Sequence, residues 1–170
     1  MGVSLIIGGA RSGKSRFAEE LAIQNNDKVS YIATATAIDK EMYERIRHHQ
    51  ARRPRDWILH ECPLALPELL SVEAKKEQTI LVDCLTIWLN NQLYENPTQD
   101  FSLLFSSLAT SIHNTKSHII FVANEVGLGI VPLGEITRQF VDEAGRLNQQ
   151  LAQLADRVTF MVAGLPLKLK

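Results

Sequence analysis

The segment Gly8-Gly9-Ala10-Arg11-Ser12-Gly13-Lys14-Ser15 narrows most sharply what this chain can fold into. It matches the pattern of a glycine, four free positions and then Gly-Lys-Ser/Thr. An apolar run, Val3 to Ile7, precedes it and predicts a buried strand. A helical pattern, Arg16 to Ala22, follows it. Strand, glycine-rich turn and helix N-terminus together make a cradle for phosphate: successive backbone N–H groups converge, and the helix dipole adds partial positive charge. In such a cradle Lys14 reaches the β- and γ-phosphates of a nucleotide, and the Ser15 hydroxyl holds Mg²⁺.

The rest of the chain alternates strand and helix patterns. Strands are predicted at 29–33, 57–60, 79–83, 118–123 and 157–163. Helices are predicted from Asp39 to about Arg52, Leu64 to Lys76, Leu85 to Leu93, Phe101 to Asn114 and Ile136 to Leu154. Asp39 is a fair N-cap, and Pro54 stops the helix before it. Continuous apolar strands separated by helices imply an α/β fold, a mostly parallel sheet with helices on both faces. Ligands of such sheets gather at the carboxyl ends of the strands. The residues just after each apolar run therefore carry the functional reading.

A chain of 170 residues suits one domain, 1–170, with a sizeable core. The net charge of −1 offers no basic field to attract nucleic acid. Cys62 and Cys84 lie far apart and form no C-x-x-C pair, so buried thiols are expected rather than a disulfide or a zinc site. No apolar run approaches the roughly 20 residues of a membrane span. The first strand begins almost at the N-terminus, which leaves no signal peptide, and a cytoplasmic enzyme is expected.

Asp83 ends the strand over 79–83. An acid there, near a phosphate loop, is the usual partner of Mg²⁺; the competing role is N-cap of the helix from Leu85. The stretch Arg45 to Arg55 holds five arginines and two histidines in eleven residues. It reads either as a solvated basic helix end or as a clamp of guanidinium forks for polyphosphate. Arg45 and His49 stand at i, i+4, with Arg52 close to the same face. Arginines around an imidazole hold it neutral, as a nucleophile on phosphorus must be. Asn124 and Glu125, after the strand over 118–123, would project into the cleft. Gly145 interrupts a good helical pattern, which suggests close packing or a ligand there, and Arg146 either faces phosphate or lies exposed. The Asn-Lys-x-Asp signature of guanine-reading switch proteins is absent.

These residues resemble the bifunctional adenosylcobinamide kinase / adenosylcobinamide-phosphate guanylyltransferases. The resemblance is carried by the phosphate loop, Tyr31-Ile32-Ala33-Thr34, Glu41-Met42, Arg45-Ile46, His49, Arg53-Pro54 and Trp57. It continues through Asn124-Glu125-Val126-Gly127-Leu128-Gly129-Ile130-Val131-Pro132 and Ala144-Gly145-Arg146-Leu147-Asn148-Gln149. It implies a single-domain P-loop, RecA-like fold and a homotrimer. It implies two reactions: ATP or GTP phosphorylates the aminopropanol hydroxyl of adenosylcobinamide, then GTP guanylylates a histidine and the GMP passes to the phosphorylated corrinoid. The resemblance places the nucleophile at His49. It places the GTP site at Gly8–Ser15, Ala33, Thr34, Ala35, Gln50, Ala51, Arg52, Arg53, Glu61 and Asp83, with Mg²⁺ on Ser15 and Asp83. Asp83 stands where some relatives carry Glu; either carboxylate suits the ion.

Two other readings use the same residues. One is a small-molecule kinase with the basic helix as a lid and no covalent nucleotide adduct. The other is a nucleotide-dependent regulatory module that transfers no phosphate to a metabolite.

Overall fold

A computed structural model describes residues 1–25, 28–36, 40, 44 and 54–170. In chain order the described elements are β1 (Gly2–Gly8), α1 (Lys14–Gln24), β2 (Val29–Ala33), β3 (Ile58–Glu61) and α2 (Leu66–Glu73). They continue with β4 (Thr79–Asp83), α3 (Leu85–Glu95), α4 (Phe101–Ser111), β5 (His118–Asn124), α5 (Glu135–Leu154), β6 (Arg157–Val162) and β7 (Leu165–Lys168). Lys40 and Glu44 are helical; the remainder of the helix predicted from Asp39 to Arg52 lies outside the described residues.

The strands form one seven-stranded sheet in the order β3-β2-β4-β5-β1-β6-β7. All pairings are parallel except β6 with β7. The strands read as unbroken apolar runs because both faces are covered, so consecutive residues point into different cores. Leu5, Ile80, Val82, Ile119 and Phe121 pack with α2, α3, α4 and α5. Their neighbours Ile6, Leu81, Ile120 and Val122 pack with Ala18 and Ala22 of α1. Trp88, wholly buried on α3, anchors the larger core and donates its indole N–H to the Leu64 carbonyl at 2.8 Å.

Several boundaries differ from the sequence-based expectation. The helix expected over Leu64 to Lys76 is shorter, Leu66–Glu73, because Pro67 can stand only in its first turn. The helix expected to reach Asn114 stops at Ser111; Asn114 itself has φ +55, a left-handed residue that cannot continue it. Strand β7 has no counterpart in the sequence pattern. Its residues Leu165–Lys168 are all exposed, so they carry no burial pattern, and only the antiparallel pairing with β6 makes them a strand.

Candidate functional site

The site is built at the carboxyl edge of the sheet. β1 delivers the chain into the loop at Gly8, and α1 starts at Lys14. Arg11 (φ +54) and Gly13 (φ +93) both lie in the left-handed region, so the backbone turns back on itself as an anion nest requires. Gly13 is the N-cap of α1 and has no side chain to occupy the helix end. A Cβ at Gly8 would stand 2.5 Å from the Met161 carbonyl oxygen, so only glycine lets β6 pack behind the loop. The Gly164 N–H, in the β6–β7 turn, donates to the Ser12 carbonyl at 3.1 Å. The hairpin that the sequence pattern does not show thus braces the phosphate loop.

Lys14 is 7% exposed, and its Nζ donates to the Gly9 carbonyl across its own loop at 2.6 Å. Burial lowers its pKa; the nearby Cys84 and Asp83 work in the opposite direction. The Ser12 hydroxyl is buried with no hydrogen-bond partner. A buried, unsatisfied donor inside an anion nest is a group that a phosphate oxygen would satisfy. The Ser15 hydroxyl is half-buried and makes no hydrogen bond among the described residues.

Strand register sets the remaining positions. Ala33 pairs with Glu61 on one side and with Asp83 on the other, so these three predicted residues form one row across β3, β2 and β4. Between β4 and β1 runs β5, whose last residue Asn124 pairs with Gly8. Asp83 therefore stands two strands from the phosphate loop, about 10 Å laterally at ordinary strand spacing. Its charge still reaches Lys14. The Tyr31 hydroxyl donates to Asp83 Oδ2 at 3.1 Å, and the Tyr31 ring stacks on Trp57, centroids 6.1 Å apart. Asp83 Oδ1 has no donor among the described residues. The N-cap of α3 is Cys84, not Asp83, which removes the capping role as the competing account of Asp83.

Thr34 is wholly buried. Its hydroxyl donates to the Cys84 carbonyl at 2.8 Å and accepts the Cys84 N–H at 3.0 Å. Asn91 donates to the Thr34 carbonyl at 2.9 Å. Thr34 thus ties the end of β2 to the end of β4 and sets the loop that carries Ala35. Burial and the Asp83 charge push the Cys84 thiol up to about 11, and burial with Glu68 raises Cys62; both cysteines are free thiols. Glu61 is exposed at the outer end of the row. His49, Gln50, Ala51, Arg52 and Arg53 lie outside the described residues.

The structure bears on two secondary candidates. Gly145 has open space where a Cβ would stand, so close packing does not account for it. Arg146 is exposed and paired with Glu143 one helical turn back. Glu125 accepts the Gly127 N–H at 2.7 Å, and its own N–H donates to the Gly8 carbonyl at 3.0 Å. It stitches the end of β5 to the start of the phosphate loop rather than projecting freely. Tyr31 is the side chain whose part residue-level reading left unassigned. A tyrosine inside a strand reads as core, and only register puts its hydroxyl beside an acid two residues beyond a neighbouring strand's centre.

A family model described as cobinamide kinase / cobinamide phosphate guanyltransferase matches residues 4–169. The bifunctional adenosylcobalamin biosynthesis protein CobP of Pseudomonas aeruginosa is 52% identical over 166 residues, 98% of this chain and 96% of that protein. The bifunctional adenosylcobalamin biosynthesis protein CobU of Escherichia coli is 38% identical over 179 residues, covering 98% of each. Among solved structures, the flagellar accessory protein FlaH from Methanocaldococcus jannaschii has a TM-score of 0.58, over 99% of this chain and 78% of that one, at 14% identity. The RadB recombinase has a TM-score of 0.51, over 94% and 73%, also at 14% identity. At that identity the likeness concerns the fold alone: a single-domain P-loop architecture of the RecA kind. With a near-complete family match on a sheet that carries its phosphate loop at the expected edge, this chain belongs to the cobinamide kinase / cobinamide phosphate guanyltransferase family.

Proposed function

We propose that this protein, as one domain over 1–170, catalyses both reactions of its family at the carboxyl edge of one sheet. In the first, the aminopropanol hydroxyl of adenosylcobinamide attacks the γ-phosphorus of ATP or GTP, and the nucleoside diphosphate leaves. In the second, a neutral ring nitrogen of His49 attacks the α-phosphorus of GTP, and pyrophosphate leaves. An oxygen of adenosylcobinamide phosphate then attacks that phosphorus, the P–N bond breaks, and adenosylcobinamide-GDP forms with His49 regenerated. The observation that carries this reading is the loop Gly8–Ser15, with Lys14 buried at its centre within reach of the Asp83 charge.

Phosphoryl transfer asks the protein mainly for position and charge neutralisation. The nest through Arg11 and Gly13, with the orphaned Ser12 hydroxyl, holds phosphate oxygens. Lys14 exchanges its internal bond to Gly9 for the β- and γ-phosphates. Arg52 and Arg53 clamp the leaving pyrophosphate, with Gln50 and Ala51 on the same segment. Ala33, Thr34, Ala35 and Glu61 border the nucleotide along the β2–β3 edge. For Mg²⁺, the donors are the Ser15 hydroxyl and Asp83 Oδ1. Two hard oxygens suit an ion completed by nucleotide phosphate and water, and the described residues gather no group of three His, Cys, Asp or Glu. The chemistry that Mg²⁺ supplies when bound is neutralisation of phosphate charge. The assembly is proposed to be a homotrimer working on nucleotide and corrinoid in the cytoplasm. No described helix is long and apolar enough to cross a membrane.

The test is incubation with Mg²⁺ and GTP labelled on the α-phosphate, then denaturation and intact-mass measurement, with His49→Ala alongside. An acid-labile GMP adduct on the wild type, absent from the variant, is expected, while the variant keeps much of its kinase activity. An adduct of undiminished yield on His49→Ala overturns the nucleophile. No adduct on the wild type with GTP bound leaves a kinase without nucleotidyl transfer.

A further inference from the structure

Resting on the reading that cobinamide is the second substrate, we propose that the segment from Val126 to Ile136 is the ledge on which its corrin ring lies. The segment leaves the sheet at the phosphate loop itself: Asn124 pairs with Gly8, and the Glu125 N–H bonds to the Gly8 carbonyl. From there it turns its apolar side chains outward. Leu128 is 80% exposed, Ile130 97%, Val131 73%, Leu133 99% and Ile136 60%. Five large apolar side chains at such exposure within nine residues form an apolar patch of the kind that marks an interaction surface. Across 126–134 the sequence Val-Gly-Leu-Gly-Ile-Val-Pro-Leu-Gly carries no charged or hydrogen-bonding side chain.

The ledge is braced, although its side chains have no cover. The Glu125 carboxylate holds the Gly127 N–H at one end. At the other, the Arg138 guanidinium donates to the Pro132 and Leu133 carbonyls, and the Arg138 N–H donates to the Gly134 carbonyl. A backbone pinned at both ends that still presents leucine and isoleucine to solvent is pre-organised for an apolar partner.

The chemistry of the occupant follows. A polyphosphate needs cations and N–H donors, which this segment's side chains do not offer, and its run of five aliphatic side chains is broader than a single nucleobase. A corrinoid is a broad ring whose edge carries methyl groups between its amide arms. Its ring face and methyl groups suit an aliphatic shelf, its amides stay toward solvent, and one amide arm carries the reacting hydroxyl. Seated on the ledge, the ring lies beside the phosphate loop, and the arm covers the distance to the γ- or α-phosphorus. A second copy of this chain is the other occupant that an apolar patch admits, and the measurement separates the two.

Aquocobinamide, which is coloured, serves as the probe in equilibrium dialysis against the intact protein with GTP present, alongside sedimentation equilibrium. Ile130→Ser/Leu133→Ser is expected to weaken cobinamide binding at least tenfold and to raise the KM for cobinamide. The KM for GTP, the mass in solution and the melting temperature should stay unchanged. The conservative pair Ile130→Leu/Leu133→Met should restore binding, and Leu165→Ser, an exposed leucine on β7, should leave it intact. Unaltered cobinamide binding in the double serine variant overturns the ledge. Unaltered binding with a smaller mass assigns the patch to a second copy. Failure of the wild type to bind cobinamide while it binds GTP overturns the cobinamide reading itself, and the ledge with it.

Discussion

The Tyr31 hydroxyl donates to Oδ2 of Asp83 at 3.1 Å, across the register between β2 and β4. The bond engages one carboxylate oxygen and leaves Oδ1 toward the proposed ion. Outer partners that orient a ligand typically change metal affinity or activity about tenfold or more when removed. Tyr31→Phe keeps the ring that stacks on Trp57. Its expected effect is a Mg²⁺ concentration for half-maximal activity raised roughly tenfold, with little change in the nucleotide KM at saturating Mg²⁺. A Mg²⁺ titration of both activities checks it.

Lys14 is a buried cation, and burial lowers its pKa below the ordinary 10.5. Below the lowered value both states carry the charge, and the folded state alone bears its desolvation. Stability therefore rises with pH through the window from the lowered pKa up to 10.5, where the unfolded chain binds the extra proton. Lys14→Met removes that cost. The free variant should melt at or above the wild type at pH 7 and show no such alkaline rise. It should also lose about 2–5 kcal/mol of nucleotide binding, because the charge that meets the phosphates is gone. Melting curves with and without GTP separate the two effects.

Gly8 and Gly9 are adjacent but answer to different constraints. A Cβ at Gly8 meets the Met161 carbonyl oxygen at 2.5 Å, whereas at Gly9 nothing lies within 4 Å. Gly8→Ala should destabilise by about 1–3 kcal/mol, as forced overpacking does. Gly9→Ala should fold with nearly wild-type stability. Urea unfolding of both variants is the measurement.

Glu73 is buried at the amino edge, where it accepts from Ser30 and Gln78 and pairs with Lys76. Burial works to raise its pKa, but the hydrogen bonds from Lys76 and Gln78 and the charges of Lys76 and His60 outweigh it, so the pKa is lowered. A lowered carboxylate contributes stability that is present above its ordinary 4.5 and lost as pH falls through the folded value. Glu73→Gln should cost about 1–3 kcal/mol at pH 7 and flatten the acid limb below pH 4.5. Melting temperature followed from pH 7 to pH 3 tests both.

Gly145 stands in the interior of α5 with open space around its absent Cβ. Gly145→Ala should therefore stabilise the protein by about 0.5–1 kcal/mol through helix propensity. Thermal unfolding with both activities assayed in parallel is the check.

The strongest elements were legible because their signals are local. Thr79 to Asp83 and His118 to Ala123 are runs that both cores bury, so they read as strands without any partner. The phosphate loop was legible for the same reason: the left-handed backbone at Gly13 and the close approach of β6 at Gly8 both demand glycine where the sequence has it. Strand β7 was illegible because it is exposed throughout and owes its form to β6. The open space beside Gly145 and the pairing of Arg146 with Glu143 were equally hidden, since helical spacing alone does not say what stands opposite.

By itself, then, the sequence determined the fold class, the strand–loop–helix turn over Gly8–Ser15, and the family, because each is carried by short segments that can be read one at a time. Only the tertiary structure decided that β5 comes between β1 and β4, that Glu61, Ala33 and Asp83 share one row, and that Tyr31 holds one oxygen of Asp83. Those relations join residues tens of positions apart. They follow from which strands neighbour one another, a choice made by packing the whole sheet against its two cores and written in no single stretch of chain.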